Sequence, residues 1–297
     1  MLQIYEKKMT NVDFFYYFFI FLIKKMGKKE KEIIAPIENK TYPSRILGLD
    51  ISTTCIGASI IYDDGVNQPI IEKITHVAPK VSSKKDGIEA LILRKEIFEK
   101  EFLNDLKEYG ITECVIEAPL IFALGNSSPT TVAQLLRFNT LLSEAIYYQL
   151  GIIPYYISSL NARIYAFPEL LGIRKFNKKG EEYSLKHINS DIKNNHLVPF
   201  ADYPFDCDKK NVVMNLVCEK YPEINWVYNK KGDFKKENYD ACDSLVCSLA
   251  YSNLKRYGAL NPIIANYSIE TNDDNFTIDY DVIFWGNTNK KRLKICK

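Results

Sequence analysis

The sequence predicts an α/β domain, with a mixed five-stranded sheet flanked by helices. Short apolar segments rich in β-branched residues lie between turn residues at 45–50, 56–62, 69–77, 113–116 and 152–157. Such segments are typical of strands. Segments with apolar residues three or four positions apart alternate with the later strands, which indicates helices packed on a sheet. The composition, 46% hydrophobic and 26% charged, is that of a soluble globular protein.

The first two strands come from the segment RILGLDISTTCIGASIIY, which runs from Arg45 to Tyr62. Asp50 ends the first strand and is followed by the small polar turn at 52–54. A carboxylate at the end of a buried strand costs free energy unless another group neutralises its charge. Asp50 therefore either accepts hydrogen bonds from an ordinary Ser/Thr turn or holds a cation, and the residues of this segment leave both interpretations open.

The helices are predicted from spacing and from the residues that end them. The first helix is expected at about 86–109 and the second at about 130–150, each followed by a glycine that suits a helix C-terminus. Ser158 and Ser159 can cap a third helix that runs to about residue 171. Two later helices are expected at about 209–221 and 238–256.

The chain divides into a domain with additions at both ends. Residues 14–23 are strongly apolar, but ten residues are too few to cross a bilayer as a helix, and membrane contact by this segment is not the favoured interpretation. Residues 172–208 are polar and basic with little periodicity, which predicts an insertion or a mobile loop. We predict an N-terminal extension and linker at 1–44, a main domain at 45–257 that contains the insertion, and a C-terminal extension at 258–297 with one strand near 276–284 and a basic tail.

Charge and cysteine content limit the classes of function. A formal net charge of +2 does not by itself indicate a nucleic-acid-binding protein, so any basic surface would have to be local. The seven cysteines form no CxxC motif, and three scattered histidines are too few for a zinc site. An odd number of cysteines without a disulfide framework indicates a reducing compartment, so we expect a cytoplasmic protein.

Four acidic residues form the candidate site. Asp50 ends the first strand and Glu117 ends the fourth, while Asp240 and Asp243 lie three positions apart on one face of the last long helix. Taken singly, the two aspartates fit helix capping and Glu117 fits an ordinary strand end. Together they predict four carboxylates at one end of the sheet, where their mutual repulsion calls for cations. Two Mg²⁺ ions would suit these oxygen ligands and could activate water for phosphodiester hydrolysis.

Three motifs carry a family resemblance. LGLDISTTCIG, VIEAP and YDACDSLVCSLAY, in this order and at these intervals, resemble the RuvC-type Holliday junction resolvases of the ribonuclease H-like superfamily. The resemblance covers about 45–160 and 209–257. It implies a ribonuclease H-like fold and a crossover junction endodeoxyribonuclease of DNA recombination and repair. It also implies two Mg²⁺ per active site, for which Mn²⁺ can substitute, held by Asp50, Glu117, Asp240 and Asp243, and no small-molecule cofactor.

The resemblance also implies contacts with branched DNA and with a second subunit. Phe122 is the match for a phenylalanine that stacks on junction bases, with Asn126 nearby, although this loop is longer than the family's. Lys210 or Lys209 is the candidate for a contact with substrate phosphates near the metals. The helix at 130–150 would form a homodimer interface. The additions outside the match fit a viral or phage-like member, for which a cytoplasmic location means the host cytoplasm or a viral factory.

Three other functions remain open from the sequence. The DISTT segment resembles the first phosphate loop of sugar-kinase and actin-like ATPases, but the second phosphate loop and the adenosine motif of those proteins are not found. A second alternative is a non-catalytic module that only binds branched DNA, against which the four intact carboxylates argue. The third is another ribonuclease H-like nuclease that cuts flaps or RNA–DNA hybrids, and the sequence separates this alternative least well.

Overall fold

The computed structural model describes residue 37 and residues 40–82, 87–119 and 128–296. Two parts of the chain that the sequence analysis singled out lie outside the described residues. They are the apolar segment at 14–23 and the loop that carries Phe122 and Asn126. No helix in the described part is both long enough and apolar enough to cross a membrane.

The central sheet has the five strands and the mixed topology that the sequence predicts. Its order is β3-β2-β1-β4-β5. β2 pairs antiparallel with both β1 and β3, whereas β1 pairs in parallel with β4, and β4 with β5. The strands are β1 Ser44–Ile51, β2 Ile56–Asp63, β3 Ile70–Val77, β4 Glu113–Glu117 and β5 Tyr155–Ile157.

Helices cover both faces of this sheet. The first face carries α1 and α2, whose Phe98 and Phe138 pack against Leu47 and Leu49 of β1. The other face carries α3, α5 and α6, which share a core with Ile46 of β1. These helices are α1 Gly87–Phe98, α2 Pro129–Leu150, α3 Ser159–Ala166, α5 Lys209–Lys220 and α6 Lys236–Tyr257, with α4 Leu185–Lys193 outside this set.

The first predicted helix is less regular than its spacing suggests. After α1, the chain continues through a π-helical turn at Glu99–Leu103, a short α-helical turn and a 3-10 turn at Lys107–Tyr109. Gly110 and Gly151 end the first two helical segments in the left-handed conformation, with φ angles of 64° and 73°. Ser158 caps α3 by accepting a hydrogen bond from the Asn161 backbone N–H. The predicted helix boundaries are therefore confirmed to within a few residues, except that α3 ends at Ala166, well before residue 171.

Helix α6 lies unusually close to the sheet because two strand positions are glycine. A Cβ added at Gly57 would lie 1.9 Å from the Asp240 carbonyl oxygen, and one at Gly48 would lie 2.2 Å from that of Ser244. Small side chains complete the contact, since the hydroxyls of Ser59 and Ser248 are 3.1 Å apart. This close packing fixes the N-terminal half of α6 over the end of β1.

The insertion and the C-terminal extension pack on each other. Within 172–208 the chain forms part of β6, Leu171–Ile173, followed by α4 and by β7, Leu197–Pro199. These elements share a hydrophobic core with a three-stranded antiparallel sheet. That sheet consists of β8 Ile263–Thr271, β9 Asn275–Phe284 and β10 Asn287–Cys296.

Of the two interpretations of residues 172–208, the structure does not support the mobile loop, and the expectation of a single strand in the C-terminal extension was wrong. The insertion contains a helix and two short strands, whose Ile173, Ile188 and Ile192 share a core with side chains of β9 and β10, far away in the sequence. The C-terminal extension contains three strands and not one. Of these three strands, only β9 alternates buried and partly buried residues along its whole length. The sequence of β10 contains several lysines, so it was interpreted as a basic tail.

Two short hairpins repeat one sequence. Residues 176–182 read FNKKGEE and residues 228–234 read YNKKGDF. In each, the asparagine side-chain oxygen accepts two backbone N–H bonds, at 2.8 and 3.1 Å, and the glycine adopts a positive φ. The asparagine and glycine therefore serve the turn, and the two lysines at each tip are exposed.

Candidate metal centre

The acids of β1 and β4 meet because these strands are parallel neighbours. Asp50 follows Leu49, which pairs with Ile116, and Glu117 follows Ile116. Both carboxylates therefore project from the same edge of the sheet. The N-terminal half of α6 lies over this edge and contributes Asp243, which is 6% exposed. One carboxylate oxygen from each of Asp50, Glu117 and Asp243 lies within 4.8 Å of the other two.

Asp240, the fourth acid of the predicted set, lies outside this three-carboxylate cluster. Its carboxylate accepts a hydrogen bond from the Cys55 thiol. It remains close enough for its charge to raise the pKa of Asp50. The structure thus brings three of the four predicted acids into one cluster and places the fourth at its margin.

The turn after β1 does not neutralise Asp50. The Ser52 hydroxyl donates to the Cys55 carbonyl at 2.7 Å and accepts from the Cys55 N–H at 3.0 Å, so it is used within the turn. Within the part of the chain that the structure describes, Asp50 has no hydrogen-bond donor. Of the two interpretations that the sequence left open, the structure therefore does not support the hydrogen-bonded turn, and the cation becomes the better explanation.

Burial and mutual repulsion make these acids hard to ionise together. Burial, followed by the charge of Asp243, raises the pKa of Glu117 to about 7. Burial also raises the pKa of Asp50, and the charges of Glu117, Asp243 and Asp240 raise it further. Carboxylates that share a site in this way bind protons or cations to reduce their repulsion.

Two cations compensate this charge only in part. Lys210 Nζ lies 3.2 Å from Asp243 Oδ2, and Arg163 Nη2 lies 3.7 Å from Asp243 Oδ1. Burial lowers the pKa of Lys210, but the charge of Asp243 and its hydrogen bond outweigh this and the pKa is raised overall. Three clustered carboxylates and Asp240 therefore face two positive side chains. Because the carboxylate oxygens left without a positive partner are hard ligands, the cluster fits a divalent cation of the Mg²⁺ type.

The structure separates the two lysines that the sequence offered as alternatives. Lys210 reaches the acidic cluster, whereas Lys209 lies over the Phe200 ring, 5.8 Å from its centroid. Both begin α5, whose N-cap is Asp208. Of the four predicted DNA-contact residues, Phe122 and Asn126 lie outside the described residues.

Sequence reasoning missed two residues of the site, Arg163 and Ser159. Arg163 lies on the face of α3 that meets α6, and its buried Nε has no partner among the described residues. Ser159 makes a side-chain hydrogen bond with Glu117, which lowers the pKa of that carboxyl. The pair of serines after β5 carried a usable signal, because only Ser158 is needed as the cap of α3.

No protein-family model matches the chain, and no curated protein does. Among solved structures it is similar to Thermus thermophilus RuvC (TM-score 0.41, 13% identity, 72% of this chain and 96% of that chain). The same protein in complex with Holliday junction substrate gives a TM-score of 0.42 at 10% identity, with the same coverage. The yeast mitochondrial Holliday junction resolvase Ydc2 gives 0.37 at 12% identity, over 75% of this chain and 81% of that chain.

Proposed function

We propose that this chain is a metal-dependent endonuclease that hydrolyses DNA phosphodiester bonds, and that its substrate is the four-way junction. The observation that supports hydrolysis most strongly is the carboxylate cluster of Asp50, Glu117 and Asp243, with oxygens within 4.8 Å of one another. The junction substrate is supported by the LGLDISTTCIG, VIEAP and YDACDSLVCSLAY motifs.

The side chains of the cluster have distinct roles in this proposal. Asp50, Glu117 and Asp243 hold Mg²⁺, and Asp240 completes the ligand set for a second ion. When bound, the ions activate a water molecule and stabilise the leaving oxygen. Glu117, whose pKa is about 7, gives up its proton as the cation binds. The Lys210 side chain is 51% exposed, so its ammonium can also contact a substrate phosphate.

Two further features of the proposal concern the substrate and assembly. Phe122 stacks on a junction base with Asn126 beside it, and two chains pair through α2 so that each active site nicks one strand. The products carry 5′-phosphate and 3′-hydroxyl ends. Light scattering of the purified protein tests the dimer, and a monomer at micromolar concentration would contradict this part of the proposal.

The direct test is cleavage of a set of labelled substrates with and without Mg²⁺. The set contains a four-way junction, a flap, a linear duplex and an RNA–DNA hybrid. We expect symmetric, Mg²⁺-dependent nicks in the junction alone. Cleavage of the flap or the hybrid would support the metal site but would contradict the junction as the substrate. Binding without cleavage at any metal concentration would contradict the nuclease proposal.

A further inference from the structure

A groove lined by basic and aromatic side chains reaches the start of α5, one residue before Lys210 of the candidate metal centre. It has a volume of about 330 Å³ and is formed by the first repeated hairpin, 176–182, and by the segment that leads into α5. Its lining includes Lys178 and Lys209 together with Phe176, Phe200 and Phe205. None of the described residues that line it comes from the second hairpin at 228–234.

The groove carries uncompensated positive charge. Lys175 is paired with Glu182 at 2.9 Å, so it contributes little net charge. Arg174, Lys178 and Lys209 also line the groove, and among the described residues they have no carboxylate within ion-pair distance. Three unpaired cations around one groove favour a ligand that carries repeated negative charge.

One aromatic ring of the groove, that of Phe205, is exposed yet held in place by its neighbours. Phe205 is 51% exposed, and its ring packs edge-on against Phe176 at a centroid distance of 6.4 Å. A Cβ at Gly180 would lie 3.0 Å from the Phe205 ring, so the hairpin glycine supports this ring closely. A fixed, half-exposed aromatic ring beside cations is the arrangement on which unpaired bases stack while lysines contact the phosphates.

The groove is connected to the acidic cluster through consecutive residues. Lys209 lines the groove, and Lys210, the next residue, lies 3.2 Å from Asp243. We propose that this groove binds an unpaired DNA strand of the substrate and directs it toward the carboxylates. Phe205 stacks on a base of this strand, and Lys178 and Lys209 contact its phosphates. The inference rests on the proposed function for the identity of the substrate, but strand binding can be measured without cleavage.

The second hairpin provides a matched control for the test. Lys178→Gln with Phe205→Ala removes one exposed lysine and one aromatic ring from the groove. Lys230→Gln with Tyr228→Ala removes the same groups from the second hairpin, where Tyr228 is also 51% exposed. All four side chains are surface groups, and circular dichroism would check that both variants keep the wild-type fold.

Binding of a fluorescent 20-nucleotide single-stranded DNA is measured by anisotropy in EDTA, where metal-dependent cleavage cannot occur. We expect the groove variant to bind roughly tenfold more weakly or worse, because it loses one stacking contact with a base and one contact with a phosphate. Its salt dependence should also become shallower, since one phosphate contact is lost. The second-hairpin variant should bind like wild type.

Equal losses in the two variants would show that exposed lysines bind DNA without a specific site, and would overturn the proposal. Wild-type binding by the groove variant would overturn it as well. If wild-type protein binds the strand through the groove but cuts no substrate, the nuclease proposal fails and the groove assignment stands. If the groove variant binds the strand like wild type and cuts junctions normally, the groove assignment fails and the nuclease proposal stands.

Discussion

Strand β4 begins and ends with a glutamate, and the surroundings of the two side chains are opposite. Glu113 at its start accepts a hydrogen bond from Lys255 Nζ at 2.6 Å, and that lysine is 0% exposed. Glu117 at its end has Ser159 as its hydrogen-bond partner and shares its site with two aspartates. Burial raises the pKa of both carboxyls, but Lys255 opposes the shift at Glu113, whereas Asp243 adds to the shift at Glu117.

Helix α6 extends this difference to the whole sheet. At its C-terminal end, Lys255 pairs with Glu113, and Arg256 pairs with Asp63, the last residue of β2. In its N-terminal half, α6 adds Asp243 to Asp50 and Glu117, which have no ion pair of their own among the described residues, since Lys210 and Arg163 pair with Asp243. Lys255 and Arg256 lie in the last turn of α6, where positive charge suits the helix dipole. The charge balance, and not burial alone, therefore distinguishes the structural end of the sheet from the candidate functional end.

The largest effect is expected from Asp50→Asn. The side chain keeps its shape but loses the charge that binds the cation, so junction cleavage should fall at least about 1000-fold, which corresponds to an activation barrier higher by roughly 4 kcal/mol. Junction binding should remain. Glu113→Gln, at the opposite edge of the sheet, should leave the cleavage rate per folded molecule unchanged. An Asp50→Asn rate within a few-fold of wild type would contradict the metal assignment.

The next largest effect concerns stability at the other end of the sheet. Lys255→Met leaves Glu113 buried without its cation, which should lower the free energy of unfolding by about 3 kcal/mol. Urea unfolding measures this. Lys255→Met combined with Glu113→Leu should be less damaging, because no unpaired charge remains. A double variant that is destabilised by the sum of the two single changes would show that the pair has no such coupling.

Local sequence patterns were enough to predict the central sheet, but not the additions to it. The periodicity of a strand or helix depends only on neighbouring residues, and Gly110 and Gly151 mark helix ends in the same local way. These elements could therefore be predicted from the sequence. The core that joins the insertion to β8, β9 and β10 depends on contacts such as Tyr280 Oη accepting from the Ile173 backbone N–H, over 107 positions. No local pattern reports such a contact.

The same limit explains what could be predicted of the site. Asp50 and Glu117 were identifiable because they lie at the ends of predictable strands, and Asp243 because it lies in the N-terminal half of a predictable helix. Asp240, three residues before Asp243, has the same sequence signal, but its carboxylate is hydrogen-bonded to the Cys55 thiol and lies at the margin of the three-carboxylate cluster. Arg163 was one of many basic residues in the sequence, and only the packing of α3 against α6 brings it to Asp243.

A smaller effect is expected on the pH dependence of stability in metal-free protein. The pKa of Glu117 is about 7 in the folded chain and 4.5 as its ordinary value, so between these values the folded state holds more protons than the unfolded state. Its contribution to stability therefore falls as the pH rises through this range, by roughly 2 kcal/mol. Urea unfolding in EDTA at pH 5 and pH 8 should show this loss in wild type relative to Glu117→Gln.

Added Mg²⁺ should restore the stability of wild type at pH 8 and should have less effect on Glu117→Gln, because the cation replaces the proton. Equal pH dependence in the two proteins would show that Glu117 is not the group responsible. Equal stabilisation of both proteins by Mg²⁺ would show that Glu117 is not a ligand.

The smallest effect is expected from substitution of two adjacent serines, of which Ser159 contacts the candidate site and Ser158 caps a helix. Ser159→Ala removes the hydrogen bond that lowers the pKa of Glu117, so the acidic limb of the pH–cleavage profile should move to higher pH by a few tenths of a unit, with cleavage near pH 9 unchanged. Ser158→Ala removes the cap of α3 and should cost about 1 kcal/mol of stability without moving the profile. A shift of equal size in both variants would mean that the profile responds to the position of α3 and not to the hydrogen bond at Glu117.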